Sequence, residues 1–223
     1  MTGRRLRLVF AATGLLPLAF FLVGALALDG NQPGATDSVE SVRQYIASNW
    51  NAIHVHHTFI GLSYVAALWF VVLLFRILHD AEGRPGTFSV LALSGAALAI
   101  AVELAVIAVH SATFVDASNT VQLRSVLTAV VRELVVLELF PWATFFGAAA
   151  VVSIRGRALP GWLGWSAAVL ALLDLSVGLY SGLAGVNASG PSAPFGPALL
   201  LVYVPFLWFA AAGVVLTRRQ LRG

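Results

Sequence analysis

Apolar residues fall into six long runs along the chain: Leu8–Leu28, Phe59–Leu78, Phe88–Val109, about Val126–Ile154, Trp162–Leu183 and about Ala198–Leu216. Each run reaches the roughly 20 residues that a helix needs to cross a hydrocarbon core of about 30 Å. An open sheet would leave its backbone unsatisfied in lipid, so the spans must be helices. The pattern predicts an all-α polytopic membrane protein, a single domain over residues 1–223. Its six transmembrane helices are expected at about 8–28, 58–78, 88–110, 126–154, 161–183 and 197–217.

The polar stretches between the runs differ in kind. "DGNQPGATD" is a string of turn residues, and "DSVESVRQYIASNW" follows it. There Asp37 and Glu40 have capping-box spacing, and Val39, Val42, Ile46 and Trp50 fall near one helical face. This predicts a short amphipathic helix over about 37–50 on the membrane surface, with Trp50 at headgroup level; an ordinary structured loop is the competing reading. "HDAEGRPGT" and "RGRALPG" are short turns, whereas "GVNASGPSAPFGP" reads as a connector or as a lid over a cavity. No internal repeat relates the first three helices to the last three, which weakens a repeat-built transporter.

Composition fits this picture, with 59% hydrophobic residues, 10% charged and a mean hydropathy of +0.89. All 13 basic residues are Arg. Without Lys there is no Schiff base, and a retinal protein is excluded. The sequence pI near 10.0 would suit nucleic acid, but the arginines form no binding stripe. Ten of them flank the chain termini and the two short turns. The positive-inside rule makes that side cytoplasmic, with both termini inside at the cell membrane. The absence of Cys excludes disulfides and thiolate chemistry. "RRLRLVF" followed by Ala25-Leu26-Ala27 also resembles a signal peptide, but its apolar run of about 21 residues is long for one, which favours a retained first helix.

Against this background three acids stand out. Glu103, Glu138 and Asp174 lie 13 to 15 residues from the arginine-rich ends of three successive helices. At about 1.5 Å per residue they share a layer about 20–22 Å deep. His57 and His110 lie about 10 Å further out by the same measure, and Glu103 and His110, seven residues apart, share a helix face. Pro141 is expected to kink the fourth helix beside Glu138. The combination predicts a polar chamber formed by the second to fifth helices, roofed by histidines and Arg132. Hydrogen bonding of protonated carboxyls inside the bundle is the plain alternative, but intramembrane ionisable groups are costly and usually functional.

Carboxylic acids crowded in a low dielectric cannot all ionise, which leaves a protonated acid beside a carboxylate, the equipment of acid–base catalysis. In a membrane the natural substrates are isoprenoids and other lipids. Glu138 or Asp174 is the expected proton donor, Glu103 the partner that sets its state, and His110 the relay to the surface. Trp69, Phe140, Trp142, Tyr180 and Tyr203 are expected to contact the substrate, since aromatic faces stabilise cations. Two other classes stay open. The three acids would suit a proton- or cation-coupled carrier, and His57 facing His110 would suit haem or, with an acid, a metal ion. No HExxH or comparable spacing supports the last, so the reading assigns no metal ligands and no cofactor. The expected partners are membrane lipids, a hydrophobic small molecule and a second copy of the chain in a homo-oligomer, with no nucleic acid.

In general style this combination resembles the small integral-membrane terpene cyclases, in which an embedded acid protonates an alkene or epoxide and aromatic walls guide the cation. No motif carries residues over from them. "RGRALPGWLGWSAAVLALL", Arg155 to Leu173, resembles the junction of the fourth and fifth helices in small six-helix membrane proteins of unknown function from high-GC bacteria, and implies no activity.

Overall fold

The computed structural model describes residues 3–28, 37–115, 121–186 and 195–219. Of these, 94% are helical and none is in a strand. The six helices are α1 (Gly3–Ala27), α2 (Val39–Glu82), α3 (Thr87–Val115), α4 (Val121–Gly156), α5 (Gly161–Val186) and α6 (Phe195–Arg219). Five of them, α2 to α6, are long and apolar enough to cross a membrane. The chain is an all-α polytopic membrane protein. Most of the turn segment beginning at Asp29, and residues 187–194 of the connector or lid, lie outside the described residues.

Two ends of the bundle are chemically distinct. The α2–α3 and α4–α5 turns mark an arginine end, and the opposite end carries His54, His56, His57 and His110. α1 packs between α2 and α6, α3 between α2 and α4, and α5 lies outermost against α4. Between helices in lipid there is little hydrophobic driving force, so close backbone approach and van der Waals packing must hold them. Gly95 is such a point, since a Cβ there would stand 2.8 Å from Pro141 O and Phe145 N across the α3–α4 contact. At the arginine end the Glu82 carboxylate accepts the N–H groups of Phe88 and Ser89 at 2.8 and 2.7 Å, closing the first turn of α3.

The segment expected as a short helix over about 37–50 is helical from Val39 and is set off from the rest of α2 by a kink at Asn49 (φ −119°, ψ 16°), beyond which α2 continues through the histidines. Its cap is Ser38, whose Oγ accepts the Ser41 N–H at 3.2 Å, rather than Asp37. Val42 and Ile46 are buried with Ile53 and Phe114, and the buried Arg124 of α4 donates to Asp37 O at 3.3 Å. The segment therefore packs on its neighbours, while Trp50 stays exposed and stacks edge-on against His54. α4 remains helical through Pro141.

Two halves of the bundle differ in packing. Toward the arginine end Phe70, Trp142, Phe145, Phe146, Phe206 and Phe209 are all fully buried and form one cluster with Trp208. Their rings meet mostly edge-on or tilted at centroid distances of 4.9 to 6.1 Å, as ring quadrupoles prefer. Toward the histidine end the core thins to smaller side chains around Val106, Val135, Leu139 and Val202.

Candidate functional site

Above the aromatic cluster lies a cavity of about 250 Å³. α2 supplies His56, His57 and Ile60 to its wall, and α3 supplies Glu103, Val106, Ile107 and His110. Val131 and Val135 of α4 and Leu199, Val202 and Tyr203 of α6 complete it. Helix periodicity explains the arrangement. His57, Ile60 and Tyr64 on α2 repeat at i, i+3 and i+7, as do Glu103, Val106 and His110 on α3. The two helices run antiparallel. His57 therefore meets His110 near one end of the shared face, and Tyr64 meets Glu103 two turns deeper.

The acids are paired rather than grouped as three. The Glu103 and Glu138 carboxyls lie within hydrogen-bonding reach of each other, and Glu103 lies within reach of the Tyr64 hydroxyl. The Trp142 indole N–H donates to Glu138 Oε1 at 2.7 Å and so holds that carboxyl from the side of the aromatic cluster. Yet Glu103 Oε2, Glu138 Oε2 and the Tyr64 hydroxyl are buried without a hydrogen-bond partner of good geometry. Buried polar atoms without a well-aligned partner cost stability, which makes this cluster the candidate site.

Asp174 differs from both. It is fully buried and in electrostatic range of Glu138, but it makes no hydrogen bond to either glutamate and does not line the cavity. It sits on the small-residue face of α5 (Gly164, Ala167, Ala171, Gly178, Ser181). The Asp174 Oδ2 and Ser181 Oγ atoms are both unpartnered there. The chamber is accordingly walled by α2, α3, α4 and α6, and the expected wall of α5 is replaced by α6.

This geometry reorders the expected roles. Glu103, not Glu138, is the acid on the cavity wall; Glu138 stands behind it, and His110 lies on the same wall nearer the end of the bundle. Among the aromatics only Tyr203 lines the cavity. Trp142 acts through Glu138, and Phe140 packs on α5 at Gly178. Trp69 and Tyr180 do not line this cavity, being 67% and 62% exposed on the outside of the bundle. Trp69 borders a separate apolar groove between α1 and α2. Arg132 is not part of the cavity wall, and Glu133 beside it is exposed. Tyr64 was missed by sequence reasoning, although its seven-residue spacing from His57 carried the signal.

His57 Nε2 and His110 Nδ1 are 3.4 Å apart, with rings perpendicular at 89° and centroids 5.3 Å apart. Two axial ligands of a haem iron stand about 4 Å apart at roughly 2 Å per bond, with a macrocycle between them. The two nitrogens here lie closer together than that and are within hydrogen-bonding reach of each other. No family model, curated protein or solved structure matches the chain.

Proposed function

We propose that this protein is a membrane-embedded acid–base enzyme acting on an isoprenoid or another lipid. One observation carries the reading: Glu103 faces an otherwise largely apolar cavity while Glu138 and Tyr64 crowd its carboxyl from behind. Two carboxyls so close share one proton more readily than they bear two charges. Glu103 gives its proton to the substrate while Glu138 keeps its own and donates it in a hydrogen bond to the carboxylate left behind, so the pair then holds one proton and one charge. The Glu103 carboxylate takes back a different proton from the substrate cation, and His110 connects the pair to the histidine end. The positive-inside rule places the arginine end and both termini in the cytoplasm, so the cavity lies in the outer half of the cell membrane.

Volume narrows the chemistry. At about 250 Å³ the cavity is slightly below the 300–1,000 Å³ usual for small-molecule sites. It suits one end of a lipid better than a whole folded chain, which supports proton transfer or isomerisation over a cyclisation that must enclose its substrate. The buried aromatic cluster closes the bundle toward the arginine end, which weighs against a carrier needing access from both faces.

The test is proton exchange. Protein reconstituted with a bacterial lipid extract in D2O is expected to place deuterium on carbon in an isoprenoid or other lipid, read by mass spectrometry. Replacement of either glutamate by Gln should lower the rate by about 100-fold, the lower bound of general acid–base contributions. Unchanged deuterium uptake in folded Glu103→Gln and Glu138→Gln proteins would overturn the proposal.

A further inference from the structure

The acid pair leaves unexplained why three histidines gather on the wall of the same cavity. Ring nitrogens of His56, His57 and His110 all lie within 4.8 Å of one another. Two nitrogens bound at 2.0–2.1 Å to one tetrahedral ion stand about 3.3 Å apart. His57 Nε2 and His110 Nδ1 are 3.4 Å apart. The third ring is already oriented, because His56 Nδ1 lies 2.9 Å from the Gly24 carbonyl and donates to it. That bond fixes the tautomer and leaves Nε2 with the lone pair. An imidazole N–H held by a backbone carbonyl is the usual outer support of a metal-bound histidine. Gly24 permits the contact, since a Cβ there would meet Ile60 at 2.9 Å and His56 O at 3.1 Å.

The geometry points to a transition-metal site formed by His56, His57 and His110, with its fourth position turned toward the cavity. Three neutral imidazoles and no thiolate suit Zn2+ or copper; Mg2+ and Ca2+ prefer oxygen. The charge can be accommodated, because Glu103 lines the same cavity and the acid pair can carry one negative charge. Three protein ligands with an open fourth position are the pattern of catalytic rather than structural zinc. An ion there can polarise an oxygen of whatever occupies the cavity.

The experiment uses the full chain in detergent, purified without a histidine tag and stripped with chelator. Cobalt(II) is the first probe, because a tetrahedral Co2+ ion absorbs visibly, and Zn2+ is the competitor. One Co2+ per chain is expected, with the visible band lost on adding one equivalent of Zn2+. His56→Ala, His57→Ala and His110→Ala should each weaken binding at least tenfold, while His54→Ala, outside the cluster, stays within twofold. His57→Gln and His110→Gln keep side-chain bulk and should show the same loss if an alanine variant fails to fold. Gly24→Ala should weaken binding by about 10–100-fold, the usual cost of disturbing an outer-shell partner. Zn2+ should also raise the unfolding temperature of the parent protein but not of the His57→Gln variant. Absence of binding, or binding unchanged in the folded His57 and His110 variants, overturns the site. Glu138→Gln should bind Co2+ as the parent does, so the metal site can stand or fall separately from acid–base activity.

Discussion

The two halves of the bundle are built from largely the same helices but on opposite rules. Toward the arginine end, α2, α4 and α6 bring seven large aromatic rings together, six of them fully buried. Toward the histidine end the same helices, with α3, enclose a cavity and leave three buried polar oxygens without good partners. One half buries large rings against one another, and the other leaves a cavity lined by an acid and three histidines. Packed rings and buried acids thus occupy different levels of the bundle, and Trp142 lies at the border, packed in one half and bonded to Glu138 of the other.

That division can be broken most directly at Glu103. Glu103→Gln keeps volume and removes the proton donor. Lipid conversion should fall by about 100-fold or more, with the unfolding midpoint unchanged or raised, because the amide relieves a crowded pair of acids. A comparable loss of both activity and stability would mean the acid is structural. The opposite test is Phe209→Ala. Phe209 is fully buried and meets the rings of Phe70, Trp142, Phe145 and Trp208. Stability in mixed-micelle unfolding should drop by about 2–3 kcal/mol, less than the roughly 3–5 of a water-soluble core, because the unfolded helices stay in apolar surroundings. The activity of the molecules that remain folded should stay within a few-fold.

The architecture was largely legible in the sequence, because a hydrocarbon solvent leaves the backbone few choices and apolar runs of the right length report them. The site was legible in part. Counting residues along helices gave depth, and depth correctly placed Glu103 beside Glu138 and His57 beside His110. It could not give rotation about the helix axis, and that decided the rest. Asp174 faces the packed side of α5, while Trp69 and Tyr180 face outward. In a chain that is apolar on every side the helical period that would report rotation is faint. The polar exceptions report it better: the seven-residue spacings of His57 with Tyr64 and of His110 with Glu103 mark the cavity face. The continuity of α2 through "HVHHTF" was hidden for another reason. Polar residues at a membrane boundary look like loop, yet the histidines here continue a helix that buried neighbours support, beyond the kink at Asn49.

Trp142 offers a finer test of the border. Trp142→Phe keeps a large ring among Phe145, Phe146 and Phe209 but removes the N–H that holds Glu138 Oε1. The lost hydrogen bond should cost about 1 kcal/mol of stability. Turnover should fall by roughly tenfold, because about 1.4 kcal/mol of misplacement at the acid pair is enough for that. If stability falls and turnover does not, the indole serves only the packed half.

Asp174 should give the smallest effect. It matches Glu138 in burial and in depth, so composition and position along the helix cannot distinguish the two. Their neighbours can. Glu138 is bonded to Trp142 and within reach of Glu103, whereas Asp174 reaches the pair only through its field and does not line the cavity. Asp174→Asn preserves shape and removes the charge that one ionised form could exert on Glu138. Deuterium uptake into lipid should therefore stay within about threefold of the parent, since about 0.7 kcal/mol is a generous allowance for a buried group acting without contact. A loss as large as that of Glu138→Gln would restore a three-acid site and would require α5 to turn its polar face toward α4 and the cavity during the reaction. A small loss would confine the chemistry to the two glutamates and leave Asp174 with Ser181 as a polar seam between α4 and α5.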